Sequence, residues 1–171
     1  MDRPRGLLNE GGLYAERQGW HLPSYDATSW TTRAISEGLP QGSAGIGFFR
    51  TEFVLNIPDG YDVPMEFVFD DARDGASAYR ALIFVNGWMM GKRVANLGYV
   101  TPAPPTTTGT HGSCSPQWRF PVPEGVLHHQ GNNTLAIAFW AMEPEIEVLP
   151  RLSLAIRGIY DGGVKVNTNL L

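Results

Sequence analysis

Apolar and polar residues alternate with a period of two along much of this chain, and that period predicts strands. From Phe49 the positions Phe49, Thr51, Phe53, Leu55 and Ile57 share one side, with Arg50, Glu52 and Asn56 on the other. Successive side chains of an extended chain point to opposite faces, so this is a half-buried strand. Pro58-Asp59-Gly60 ends it, because proline fixes φ and glycine frees it at a turn. After Pro64, Met65, Phe67 and Phe69 oppose Glu66 and Asp70 in a second strand. Tyr79 to Val85 (YRALIFV) is apolar almost throughout, the pattern of a strand central in a sheet. Asn86-Gly87 follows, a dipeptide that adopts positive φ at both positions of a type I′ hairpin, so Trp88 to Lys92 begins the return strand. Thr134 to Ala141 (TLAIAFWA) and Arg151 to Arg157 (RLSLAIR) read as two more, the second with Leu152, Leu154 and Ile156 inward.

The links between these runs are turn-rich. Asp70 to Ser77 is polar, and Thr101 to Ser115 (TPAPPTTTGTHGSCS) lacks apolar periodicity and reads as a long surface loop. Phe120 to Gly125 (FPVPEG) reads as a stiff extended edge segment closed by a glycine turn. No long amphipathic helix alternates with the strands. The expected fold is therefore all-β, an antiparallel β-sandwich of jelly-roll type with Greek-key links, rather than a parallel α/β sheet.

Composition agrees, since 20 Gly and 13 Pro supply many turns. The 171 residues suit a single domain over 1–171, with 1–10 a flexible N-terminal segment and 101–115 the long loop. The net charge of −4, with 13 Lys and Arg and no basic run, argues against a nucleic-acid partner. No apolar stretch approaches the roughly 20 residues of a spanning helix, so no membrane partner is expected. The opening MDRPRGLLNEGG also lacks the apolar core of a signal peptide. The one cysteine, Cys114, excludes an intrachain disulfide and a cysteine metal cluster and reads as a spare loop thiol. The single sequon, Asn132-Asn133-Thr134, lies in a turn-like stretch where a glycan could sit in a secreted chain.

Catalytic chemistry finds little support. A glycosidase needs two carboxylates about 5 Å apart for retention, or further apart for inversion. Glu16, Asp26, Glu52, Asp70, Asp71 and Glu124 are candidates, yet none has a context that would protonate one and keep its partner ionised. Gly-x-Ser-x-Gly is absent, and His111, Ser113 and Cys114 share the loop rather than a rigid scaffold. His128-His129 lacks a third ligand, and neighbours on a strand face opposite ways. Asp70, Asp71 and Asp74 could offer hard oxygens to calcium, although a solvated turn explains them as well. No other cofactor is implied.

Sugar binding is better supplied. A pyranose needs an aromatic face for its C–H side and polar groups for its hydroxyls. Trp20, Tyr25, Trp30, Trp88 and Trp118 provide the first, and His21, Asp26, Arg80 and Asn86 the second. The same rings, with Trp140, would serve equally to fill a core or an interdomain contact.

Five stretches carry a family likeness: GGLYAERQGWHLP (11–23), the 49–53 strand leading into IPDGYDVP (57–64), YRALIFVNGW with GK (79–92), PQWRFPVPEGVL (116–127) and NNTLAIAFWAM (132–142). In this order they resemble the C-terminal jelly-roll domain of fungal β-galactosidases of glycoside hydrolase family 35. The resemblance implies a galactose-binding-like sandwich that packs beside a catalytic barrel, with both catalytic glutamates in that barrel. It implies a secreted, non-catalytic accessory module that supports the catalytic domain or binds galactose-containing carbohydrate. A stand-alone lectin-like protein and an interaction domain that dimerises are the alternatives. Glu16 and Arg17 are then expected to form a structural charge pair.

Overall fold

The computed structural model describes residues 13–37, 39, 45–70, 79–94, 117–141 and 151–162. The 1–10 segment, the 101–115 loop with His111 and Cys114, and Asp71 and Asp74 lie outside the described residues. In chain order the elements are α1 (Tyr14–Arg17), a 3-10 turn (Ile35–Glu37), β1 (Gly45–Asn56), β2 (Tyr61–Asp62), β3 (Met65–Phe69), β4 (Tyr79–Val85), β5 (Trp88–Val94), β6 (Arg119–Pro121), β7 (Gln130–Ala141), β8 (Leu152–Ile156) and β9 (Tyr160–Asp161).

The strands form a four-stranded sheet in the order β1-β7-β4-β5, a three-stranded sheet β6-β3-β8 and a small β2-β9 ribbon. All pairings are antiparallel. The chain changes sheet between β3 and β4 and at each step from β5 to β8, as the Greek-key expectation requires. The fold is the expected all-β antiparallel sandwich.

Strand alternation builds the core. Phe67 and Phe69 of β3 and Phe120 of β6 meet Tyr79, Ala81, Ile83 and Val85 of β4 and Ile137, Phe139 and Ala141 of β7. Phe49 and Phe53 of β1 and Leu152 and Leu154 of β8 seal its sides. Close approach matters at Gly91, where a Cβ would stand 2.7 Å from the Phe120 ring, so the inner side of β5 admits no side chain there. The Asn86-Gly87 turn has φ of 49° and 87°, the positive pair its type demands.

Two sequence expectations need correction. Strand β1 begins at Gly45 rather than Phe49, because β7 runs on to Ala141 and gives Gly45 to Phe48 partners. Ile156 does not point into the core: it is 59% exposed, opposite Met65 at the end of the β3-β8 ladder.

Candidate functional site

The four-stranded sheet has a second apolar face. Phe84 of β4 and Ala136 and Ala138 of β7 form a separate buried cluster, flanked by Leu13, Phe48, Leu82 and Trp140. The segment from α1 to Trp30 lies over it. Trp20 stacks edge-on against Phe48 at 5.8 Å and against Trp30 at 5.3 Å, and Tyr25 closes the group 5.5 Å from Trp30. His21 packs 5.0 Å from Phe84, with its Nδ1 buried and without a hydrogen-bond partner among the described residues. Edge-to-face rings of this spacing add attraction beyond the area they bury. Arg50 pins the segment from below, its guanidinium donating to the carbonyls of Leu22 (2.8 Å) and Pro23 (3.0 Å).

Glu16, expected to form a structural charge pair with Arg17, serves the backbone of the helix start. Its Oε2 accepts the N–H of Leu13, which would otherwise be an orphan donor at the start of α1, and Arg17 lies over the Tyr14 ring. Asp26 accepts the N–H of Thr28 at 3.0 Å, and this bond to the charged form holds its carboxyl below the ordinary carboxylate value.

Asn86 sits at the hub of a polar lock. Its Nδ2 donates to Val126 O (2.7 Å) and to Asn133 Oδ1 (2.8 Å), and its Oδ1 accepts the N–H of Thr134 (2.8 Å). Asn133, fully buried, in turn accepts from the N–H of His128 and donates to its carbonyl. The hairpin is thereby fastened to the β6-β7 connection. Just beyond it Trp88 is 66% and Met89 59% exposed, so two large apolar side chains stand on a rigid tip. Arg80 lies on the outer face of β4, with its Nε buried and unpartnered among the described residues. The structure thus gathers Trp20, His21, Tyr25 and Trp30 in one cluster and leaves Asn86 and Trp88 at the hairpin and Arg80 further along β4.

The carboxylates are dispersed. Glu52 faces Arg50 at 3.6 Å and accepts from Asn132, and Asp70 faces Arg151 at 4.0 Å. Among the described residues no group of three or more His, Cys, Asp or Glu could hold a metal. Two buried ionisable residues escape sequence reading. Glu66, on the outer side of β3, accepts from Arg119 and, at 3.2 Å, from Arg157. Arg93 of β5 points between the sheets, donating to Tyr79 Oη (2.6 Å) and Gln117 O (2.7 Å) and facing the Phe69 ring at 5.3 Å. Opposite-charge spacing along β3, β6 and β8 is a faint sign of the first; nothing in the local pattern marks the second.

A cleft of about 1150 Å³ opens beside the edge strand β1, with Trp30, Ile46, Phe49, Leu135, Arg151 and Leu152 among its walls. Trp30 therefore belongs both to the aromatic cluster and to the cleft. Arg33, also at the cleft, donates to the Glu37 carbonyl at 2.7 Å.

A family model described as beta-galactosidase second all-beta domain matches residues 14–145, from α1 to just past β7. A probable beta-galactosidase E of Aspergillus fumigatus is 44% identical over 159 residues, 90% of this chain and 14% of the relative. Beta-galactosidase A of a Penicillium species is 42% identical over 142 residues, 83% of this chain and 12% of the relative. Beta-galactosidase A of Aspergillus oryzae is 42% identical over 145 residues, 85% of this chain and 12% of the relative. The chain thus spans a small part of the length of the curated relatives it matches.

Proposed function

This chain belongs to the family of beta-galactosidase second all-beta domains, and from that premise we propose that it is a non-catalytic accessory module of a secreted β-galactosidase. Its work is to pack against the catalytic part of that enzyme and hold it in place. The observation that carries this reading is the hairpin tip: Trp88 and Met89 stay exposed on a turn whose backbone is locked by Asn86 and Asn133. Large apolar groups on a rigid support suit a dry interface, where an aromatic anchor contributes most when fully desolvated.

The test compares this chain alone with a longer polypeptide in which it is joined to a β-galactosidase catalytic part. Trp88→Asp should lower the thermal midpoint and the galactosidase half-life of the longer protein while leaving the isolated chain's midpoint unchanged. Equal effects in both would sink the packing role. Galactoside hydrolysis by the isolated chain would overturn the non-catalytic assignment.

One observation favours a second reading, binding of galactose-containing carbohydrate. The cleft beside β1 has an aromatic wall at Trp30 and guanidinium groups at its rim, the two kinds of group a pyranose needs. Titration with galactosides should then move tryptophan fluorescence, and Trp30→Ala should abolish the change. Flat titrations would leave packing as the sole function.

A further inference from the structure

The N-terminal segment covers only part of the outer face of the four-stranded sheet. Its anchor is Arg50, and its rings sit over Phe48 and Phe84. Past Arg50 the same face continues with Glu52, Val54 and Asn56 of β1, all exposed, and with Gln130 and Asn132 of β7. Among the described residues nothing packs over this end of the face. Val54, 73% exposed, lies directly opposite Asn132 in the antiparallel register. Directly opposed side chains have Cβ atoms about 5 Å apart, so whatever stands on Asn132 also stands over Val54.

Asn132 opens the chain's single Asn-x-Thr triplet. The three residues divide by strand alternation. Asn132 is exposed on the outer face, Asn133 is buried on the inner one within its hydrogen-bond lock, and Thr134 is buried beside the hairpin. We propose that Asn132 is an N-glycan acceptor and that its glycan stands over the end of this face beyond Arg50. The proposal rests on the secretory route put forward above.

The chemistry needs an oligosaccharide carried on a lipid diphosphate. The Nδ2 atom of Asn132 bonds to C1 of the first sugar, the C1–O bond to the diphosphate breaks, and the diphosphate leaves with the electron pair. One Nδ2 proton passes to a basic group of the transferase. The product amide keeps one N–H, which is enough to preserve the 2.7 Å bond that Asn132 donates to Glu52. Because the hydroxyl-bearing Thr134 is buried once β7 pairs, transfer must precede closure of the sheet. The folded sandwich then accommodates the glycan, since the acceptor is exposed on the outer face beyond the cluster of Phe84, Ala136 and Ala138 that the N-terminal segment covers. The sugar's C–H face shields Val54, which would otherwise leave an isopropyl group in water beside a strand edge.

The chain, directed into a eukaryotic secretory host behind a cleavable leader, tests this together with Asn132→Gln and Thr134→Ser. Wild type and T134S should be secreted with a mass increment that peptide N-glycosidase removes, converting residue 132 to aspartate in the peptide map. N132Q should be secreted unmodified with the same far-ultraviolet circular dichroism. Secreted wild type with unmodified Asn132 overturns the proposal, because the leader has already supplied the route. A native gene product that never enters that route would instead count against the secretory reading and leave the acceptor result standing.

Discussion

The two apolar faces of the four-stranded sheet are closed in different ways. The inner face meets a second sheet, so rings such as Phe67, Phe69 and Phe120 interlock with β4 and β7 across regular ladders. The outer face meets a segment that forms one short helix and no strand, held by ring contacts and by two bonds from Arg50. The first closure is shared by long-range strand pairs and must be lost as a unit; the second can lift while the ladders stay intact. The contrast also explains the apolar run of β7. Its Ile137 and Phe139 serve the inner core, and Ala136 and Ala138 the outer cluster, so neither face can be polar.

The largest effect is expected from Phe139→Ala, which removes a fully buried ring packed 5.8 Å from Tyr79. Such a cavity costs about 3–5 kcal/mol, and denaturant unfolding should lose it from the whole chain in one transition. Arg93→Met should come next, at about 2–3 kcal/mol, because it leaves Tyr79 Oη and the Gln117 carbonyl without their guanidinium donors. Trp20→Ala should cost about 2 kcal/mol, roughly half the value for a fully buried ring, since Trp20 is only partly covered. Hydrogen exchange should show the difference in kind: faster exchange over 13–30 with β4 and β7 still protected. Uniform loss of protection would mean that the two faces form one cooperative unit.

Arg50→Ala should weaken the same segment by about 1 kcal/mol, discounted from the usual value of charged hydrogen bonds, and should speed proteolysis between Leu22 and Trp30. The smallest effect concerns Asp26. Its lowered carboxyl pKa means that the turn to Thr28 is stabilised above the ordinary carboxylate range and loses that support as pH falls through the folded value. A carbon-13 titration of Asp26 with its midpoint at or above 3.8 would refute that bond in solution.

Much of this was legible in the chain because strand periodicity and turn chemistry are local. The run from Phe49 to Ile57, the Met65, Phe67, Phe69 alternation and the positive-φ Asn86-Gly87 pair all act through near neighbours. The partners were not local. Trp20, His21, Tyr25 and Trp30 read alike whether they line a pocket or cover a sheet, and only the sheet's second apolar face decides where they lie. Nothing in the local pattern places Arg93 inside, yet the bulge in the β4-β5 ladder and the phenol of Tyr79 make room for it there. Glu66 depends on two arginines from distant parts of the chain.

The Asn86-Gly87 turn has a chemical consequence as well as a geometric one. Asparagine followed by glycine is prone to ring closure, in which the glycine nitrogen displaces ammonia from the side-chain amide and hydrolysis leaves aspartate or isoaspartate. Here that amide is held by three hydrogen bonds, so ring closure must wait until the hairpin leaves its lock. The rate at which ammonia is lost from this one site therefore reports the fraction of time the hairpin spends out of its lock.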